Sequence, residues 1–371
     1  MPVHTAASRL RPVDVMLERQ WDELVVRSGA PPFMRPGWLR AWMDAFAPGE
    51  PLHALTVESG GEPTAVLPLR QQRGTLRSPT NGESMIFSPV VADAAAAAEL
   101  ADRLFDGPRR TIDLTSLPVG GGAPAEALVA AAARNGNAVL HRTTNVCPFL
   151  DVSGDRDAFV QGLSAKRRQS LRRLHNRLGA AGEVTVTVHD GREHLDALLR
   201  EGYRLEAREW KRAAGSAIIS RPAAAKFYTA VARWAAENRI LRLVFLRLDG
   251  RPIAFSYNLQ QGGVLYGLKL GMDDEFMKFS PGVLLTQHLI DHAFADPDVR
   301  LFDYLGQNES YKTEYASGTR EQVRLQVFPG PTGKLRRAAV VKTGELRASL
   351  VNRLPASTRK RLVAVRNRIT L

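Results

Sequence analysis

Cysteine is nearly missing from this chain of 371 residues: Cys147 is the only one. A lone thiol forms no internal disulfide and builds no cysteine metal cluster. Aromatic residues are sparse at 7%, and no run of about 18 apolar residues occurs, so no membrane-spanning helix is expected. The opening stretch MPVHTAASRLRPVDVML lacks the apolar core of a secretory signal, and a cytoplasmic location is the expectation. Also missing are a Walker-type loop, a G-x-S-x-G elbow and a dinucleotide-binding glycine fingerprint. His288 and His292 stand four residues apart, as in zinc proteases. The glutamate those motifs need beside a histidine is missing and no third ligand is evident, so no metal site is expected.

What is present is an ordinary globular composition, 44% hydrophobic and 24% charged. At roughly 100–200 residues per domain the length suggests two domains. The net charge of +13 is uneven. From Thr332 to Leu371 there are eleven Lys and Arg residues against one acid, Glu345. A second cluster, SAKRRQSLRRLHNR (Ser164–Arg177), holds six cations and no acid, which leaves −3 for the rest of the chain. Such clusters suit phosphates, acidic proteins or anionic lipid. Arg168 and Arg172 share a helix face in the second cluster, where a phosphate-bearing acceptor, a tRNA acceptor stem or an acidic carrier protein would fit.

The periodicities predict a mixed α/β chain. Trp38, Leu39, Trp42, Met43 and Phe46 have helical spacing. PLHALTVES and TAVLPLRQQ flank a glycine turn and read as a hairpin. Ala-rich helices are expected over Ala92–Phe105 and Ala123–Arg134, with the strand TIDLTSL between them. In the second half come the basic helix Ala165–Leu178, the strand EVTVTVHD, a helical stretch over Arg192–Arg212, and a helix opened by Pro222. Three antiparallel strands follow, turning at Asp249-Gly250 and Gln261-Gly262-Gly263. VRLFDYLGQ and QVRLQVFPG are further strands. Helix, hairpin, strand, helix, strand occurs twice over, so two copies of one α/β unit are expected, with a boundary near Asp151–Arg156.

KFSPGVLLTQHLIDHAF (Lys278–Phe294) raises a sharper question, because a Ser-Pro-Gly triplet opens a helix. The first N–H groups of a helix have no partner inside it, and the helix dipole favours negative charge there. Proline sits well in the first turn, and glycine lets another group approach the backbone. This mouth, with Ser280, Gly282 and the nearby cation Lys278, could hold a donor's phosphates; a plain strand-to-helix junction is the alternative.

Helix pair, three-stranded meander, helix mouth and strand, in that order, resemble the acyl-CoA N-acyltransferase (GNAT) fold. The stretches SAKRRQSLRRLHNRL, YRLEAREWKRAAGSAI, KFYTAVARWAAENRILRLVFLRLDGRPIAFSYNL, YGLKLGMDDEFMKFSPGVLL and LFDYLGQNESYKTEYASG resemble the tandem-GNAT, CelD/FemAB-like group, as does PFMRPGWLRAWMDAF. Met277-Lys278-Phe279-Ser280-Pro281-Gly282 stands where that fold carries its glycine-rich pyrophosphate loop, and departs from the full pattern. The resemblance implies two tandem GNAT-like domains over 1–153 and 154–330, each a mixed central sheet flanked by helices, and a basic helical extension over 331–371. It implies a first domain that has lost its donor site and a second that holds the chemistry. The implied co-substrate is a coenzyme A thioester, or an acyl carrier protein thioester, and the implied acceptor is an amine, in polysaccharide or cell-envelope biosynthesis. Two alternatives stand beside it: an aminoacyl-tRNA-dependent transferase of the FemABX kind, and a non-catalytic accessory protein of polysaccharide assembly. The basic clusters 164–177 and 332–371 would meet tRNA or an anionic membrane surface, the latter giving a peripheral location at the inner membrane.

Transfer to an amine needs a neutral amine, a polarised carbonyl and a stabilised leaving group. The reaction itself needs no metal. Asp303 sits in an apolar strand; alternation puts it with Leu305 on one face and Phe302 with Tyr304 on the other. It is the first candidate base, the alternative being a salt bridge to the basic helix. Glu206 is the second, with an ion pair to Arg173 as its alternative. The resemblance implies that Tyr311 and Lys312 reach into the site, Lys312 as oxyanion stabiliser or phosphate clamp. Trp210, on the face of Glu206, and Lys211 would wall the acceptor pocket, with plain core packing as the alternative for Trp210, and Tyr257 would line the pocket. Tyr266 and Lys269 fall on opposite faces of a regular strand, and Lys269 is expected to point at the donor.

Overall fold

The computed structural model describes residues 10–106, 108–207, 217–306 and 309–352, with backbone alone at 310–311, 347–348 and 351–352. The chain divides into two compact units, Met1–Asn145 with Arg320–Leu371, and Val146–Thr319.

The first unit opens with β1 (Arg11–Pro12) and α1 (Val15–Ser28). Asp14 caps α1 by accepting the Leu17 N–H at 2.8 Å, and Gly29 ends it at φ 68°, a conformation glycine takes freely. Helix α1, which the sequence reading passed over, buries Trp21, Leu24 and Val25. Next come α2 (Pro36–Phe46), β2 (His53–Ser59), β3 (Glu62–Gln72), β4 (Thr75–Arg77), β5 (Val90–Val91), α3 (Ala94–Asp106), β6 (Thr111–Pro118) and α4 (Pro124–Arg134). Strand β7 (Ala138–Asp151) carries the chain from the first unit into the second.

The second unit continues with α5 (Arg156–Gly162), α6 (Ala165–Gly179), β8 (Val184–His189) and α7 (Leu195–Glu206). Helix α8 (Pro222–Glu237) precedes the meander β9 (Leu241–Leu248), β10 (Arg251–Gln261) and β11 (Val264–Met272). Asp249 and Gly250 both take positive φ, as the tight hairpin requires. Helix α9 (Pro281–Ala295), β12 (Leu301–Asp303) and the short α10 (Ser310–Thr313) follow. Strand β13 (Gly318–Phe328) leads back to the first unit, and α11 (Gly333–Asn352) closes the described chain.

Each unit has the same strand plan. In the first the order is β1-β2-β3-β4-β6-β13; in the second it is β8-β9-β10-β11-β12-β7 taken from edge to edge. Among the described residues one pair in each is parallel, β4 with β6 and β11 with β12, and a helix bridges that pair. The expected duplication of one α/β unit is therefore present. The units differ from the expected spans 1–153 and 154–330 because each takes its last strand from a distant part of the chain. The first unit is completed by β13, whose residues 322–327 pair with β6. The second is completed by the end of β7, whose residues 149–151 pair with β12. The described part of the extension, residues 331–352, groups with the first unit.

The core of the second unit has two sides set by strand alternation. Val244, Leu246, Leu265, Phe302 and Tyr304 pack with Leu171 and Leu178 of α6 and Leu284, Leu285 and Leu289 of α9. The alternate positions Phe255 and Tyr257 face α7 and α8: a Cβ on Gly202 would sit 2.5 Å from the Phe255 ring, and the Tyr257 hydroxyl donates to the Tyr228 carbonyl at 3.1 Å. The unit is a sheet with α7 and α8 on one face and α6 and α9 on the other.

Candidate functional site

The parallel ladder of β11 and β12 has three pairs, Val264 with Leu301, Leu265 with Phe302, and Tyr266 with Asp303. Strand β11 runs on to Met272, whereas the chain after Asp303 turns at Leu305, at φ 51°, with the Tyr304 N–H donating to the Pro148 carbonyl at 3.2 Å. The two strands therefore part beyond Tyr266 and Asp303. Asp303 is 1% exposed. Its Oδ1 accepts the Leu305 N–H at 2.9 Å and so holds that turn. The Leu305 carbonyl accepts from Lys312 Nζ at 3.1 Å, and Lys312 also pairs with Glu309 Oε2 at 3.0 Å. Asp303 and Lys312 are thus brought to one turn, linked through Leu305. Tyr311 lies in α10, but its side chain is outside the described residues, and Trp210 and Lys211 lie outside them altogether.

Paired residues share a face, so Asp303, Tyr266 and Phe149 project to the α7–α8 side. Lys269 pairs with Tyr257, and Gly267 with Asn258, which leaves Leu268 as an extra residue in β11. This bulge corrects the expectation of opposite faces: one added residue reverses the alternation and puts Lys269 on the same face as Tyr266. Lys269 Nζ stands 5.0 Å from the centre of the Tyr228 ring.

Glu206 projects to that face too. It is 1% exposed and accepts the Ile218 N–H at 2.8 Å. The end of α7 lies directly on β11, where a Cβ on Gly271 would come within 2.5 Å of the Glu206 nitrogen. That point is five residues along β11 from Tyr266, so Glu206 and Asp303 approach the sheet at different places. Helix α6 packs on the opposite face, which places the basic helix away from both carboxylates; Arg173 is on the far side of the sheet from Glu206. Tyr257 is fully buried and burial holds its phenol well above the usual range, so it stays protonated and donates inward. It is a core tyrosine and not a lining residue of an open pocket.

The Ser-Pro-Gly mouth lies on the α6–α9 side. Ser280 takes φ 51° and Pro281 fills the first helical position, while Gly282 is buried. A Cβ on Gly282 would sit 2.8 Å from Met272 Cε, the mobile end of a side chain of β11, so the start of α9 lies close over that strand. Lys278 is exposed with its Nζ 5.0 Å from the Phe279 ring centre, and its carbonyl accepts from Arg177 Nη1 at 2.8 Å. Arg172 is exposed. Arg168 instead turns back on the end of α5 and donates to the Gln161 carbonyl at 2.7 Å and to that of Leu163, a structural task the sequence did not suggest. At the start of α6 a cavity of about 350 Å³ is lined by Ser164, Lys166, Arg167, Ser170 and Glu314. Its guanidinium is that of Arg167, held by Glu314 at 2.9 Å and the Tyr315 hydroxyl at 2.6 Å.

His288 does not stand in a metal cluster. Its ring meets that of His175 edge-on at 5.6 Å, and among the described residues no group of three metal-binding side chains occurs. Burial, and secondly His175, lower the His288 pKa from 6.5, against the pull of Asp291. The unfolded chain therefore takes up this proton first, so the stability is whole above pH 6.5 and is lost as pH falls below it toward the folded value. The thermal midpoint is expected to drop between about pH 7.5 and pH 5.5, and His288→Gln to flatten part of that drop. A slope unchanged by the substitution would take the pair out of the pH response.

The parted parallel strands, the bridging helix and the meander before them are matched by a known family. Residues 165–313 match the family described as acetyltransferase (GNAT) domain. This stretch is a GNAT domain. No curated protein matches the chain. Among solved structures, FemX is similar with a TM-score of 0.57 at 12% identity, over 85% of this chain and 97% of that one. A conserved protein of unknown function from Bacteroides thetaiotaomicron VPI-5482 gives 0.53 at 11% identity, over 87% and 100%. The C-terminal domain of an Agrobacterium fabrum protein, provisionally named a lysylphosphatidylglycerol synthetase, gives 0.52 at 13% identity, over 87% and 95%. At such identities the likeness is one of fold. The GNAT domain covers most of the second unit, and the first unit repeats its strand plan.

In the first unit the position matching Asp303 is Asp113, the last residue of its own parallel ladder, opposite Arg77. There the carboxylate is locked by Arg77 at 2.8 Å and by both nitrogens of an Arg324 fork at 2.7 Å. The GNAT domain has Tyr266 where the first unit has Arg77.

Proposed function

We propose that the GNAT domain transfers an acyl group from an acyl-CoA, or an acyl carrier protein thioester, to an amine. The observation that carries this reading is the parting of β11 and β12 just beyond Tyr266 and Asp303. Strands that diverge open a gap that an extended ligand can enter along the sheet, and a pantetheine arm is such a ligand. The α9 mouth would take the donor's phosphates, with Lys278 as counter-charge. Asp303 and Lys312 come together at the turn where the strands part.

In this reading the amine gives its proton to a carboxylate, Asp303 first and Glu206 second. Its lone pair then attacks the thioester carbonyl carbon. Lys312 stabilises the developing oxyanion. The C–S bond breaks, the amide forms, and the thiolate leaves and takes up a proton. Asp113, clamped by two arginines, is unsuited to the same work, which supports a first unit without its own chemistry. Exposed Lys166, Arg172 and Arg173 on α6 favour aminoacyl transfer from tRNA as the second reading. The test is thiol release from acetyl-CoA and a longer acyl-CoA with a panel of amines, run beside release from an acyl carrier protein and transfer from charged tRNA. Amine-dependent thiol release supports the proposal; transfer from tRNA alone would replace it with the second reading.

A further inference from the structure

Helix α11 has one face on the first unit and one face turned away from it. Gly333 is buried, and Val340, Val341 and Gly344 are half-buried. A Cβ on Gly333 would meet Ala138 of β7 at 3.5 Å, and one on Gly344 would meet Arg142 Nη1 at 3.2 Å, so this side of the helix lies along the start of β7. At 100° per residue, Leu335, Ala339, Leu346 and Leu350 fall within about 60° of one another, roughly opposite the packed side. The leucines are 72%, 54% and 62% exposed. Leucine at such exposure, repeated along one stripe, is not needed for the packing of the helix. Lys342 borders the stripe on one side and Arg336, which donates to Thr111 Oγ1 at 2.8 Å, on the other, and Glu345 is the single acid of the helix.

We propose that this outward face of α11 docks on an anionic phospholipid surface. Apolar side chains along one line, with a cation beside them, let leucines enter the acyl boundary while the Lys342 head stays at the phosphates. The charge argues against the other partners. A second copy would bring the same cations face to face. A nucleic acid would meet the cations but leave three leucines against a polar backbone. The inference does not depend on the acyl-transfer reading.

The experiment is co-sedimentation of the full chain with vesicles of phosphatidylcholine alone or mixed with phosphatidylglycerol, with Leu346→Ser/Leu350→Ser and Lys342→Glu as variants. All three positions are exposed, and circular dichroism verifies the fold. The protein is expected to pellet with the mixed vesicles only, and the leucine pair to lower partitioning about tenfold or more. Lys342→Glu and added salt are expected to weaken it as well. Absence of pelleting by the unaltered chain, equal pelleting with neutral vesicles, or no effect of the leucine pair would each overturn the proposal. So would a dimer that the leucine pair dissociates, or binding to an RNA oligonucleotide in place of the vesicles.

Discussion

Lys312→Ala is expected to lower kcat by about two to three orders of magnitude, the usual cost of removing one oxyanion donor. The side chain is 12% exposed and its ammonium is held between the Leu305 carbonyl and Glu309. A lysine so restrained is directed, unlike most surface lysines. The stability cost is expected to be small, about 1 kcal/mol, because one hydrogen bond is lost and Glu309, 54% exposed, still reaches water. The split between a large fall in kcat and a small fall in thermal midpoint is the diagnostic. Lys312→Arg keeps the charge but changes the donor shape, and is expected to recover only part of the rate. An unchanged kcat in Lys312→Ala would remove the residue from the site, and an equal loss of folding would make it structural.

The second large effect is on folding. Gly271→Ala would place a Cβ 2.5 Å from the Glu206 nitrogen and 2.7 Å from its Cα. These are backbone atoms and cannot swing aside, so the end of α7 must lift from the sheet. A loss of about 3 kcal/mol is expected, seen as a lower denaturant midpoint with an unchanged slope. Gly154→Ala is the control, since a Cβ there meets nothing within 4 Å. Equal stability of the two variants would mean that α7 does not rest on β11 as described. Because Glu206 belongs to the segment that moves, Gly271→Ala also separates packing from chemistry: if Glu206 takes part in turnover, activity falls below the folded fraction.

Much of this was readable in the residues. Alternation through Phe302, Asp303 and Tyr304 assigned their faces, and the Phe302 and Tyr304 rings do pack together at 4.5 Å while Asp303 points the other way. The hairpin at Asp249-Gly250 and the helix start at Pro281 follow from local backbone preference, which sequence states directly. What escaped was long-range. A bulge at Leu268 is one residue of slippage between strands, hinted at only by Gly267 beside it, yet it decides which way Lys269 points. The exchange of closing strands, β13 to the first unit and β7 to the second, depends on pairing partners far away in the chain. The basic helix looked like one anion surface, but Arg167, Arg168 and Arg177 each hold local groups, and only tertiary contacts distinguish them from Arg172 and Arg173. The buried place of Tyr257 could have been suspected, because IAFSYNL is the middle strand of the meander.

The GNAT domain is expected to take a thioester donor between its parting strands. Isothermal titration of the full chain with coenzyme A and acetyl-CoA tests it most directly, with Lys278→Glu as the variant and deacylated tRNA in parallel. Lys278 is exposed, so the substitution leaves the fold in place. Micromolar binding of coenzyme A, weakened by Lys278→Glu, is the predicted result. No heat with any coenzyme A species, beside a tight salt-sensitive complex with tRNA, would contradict it.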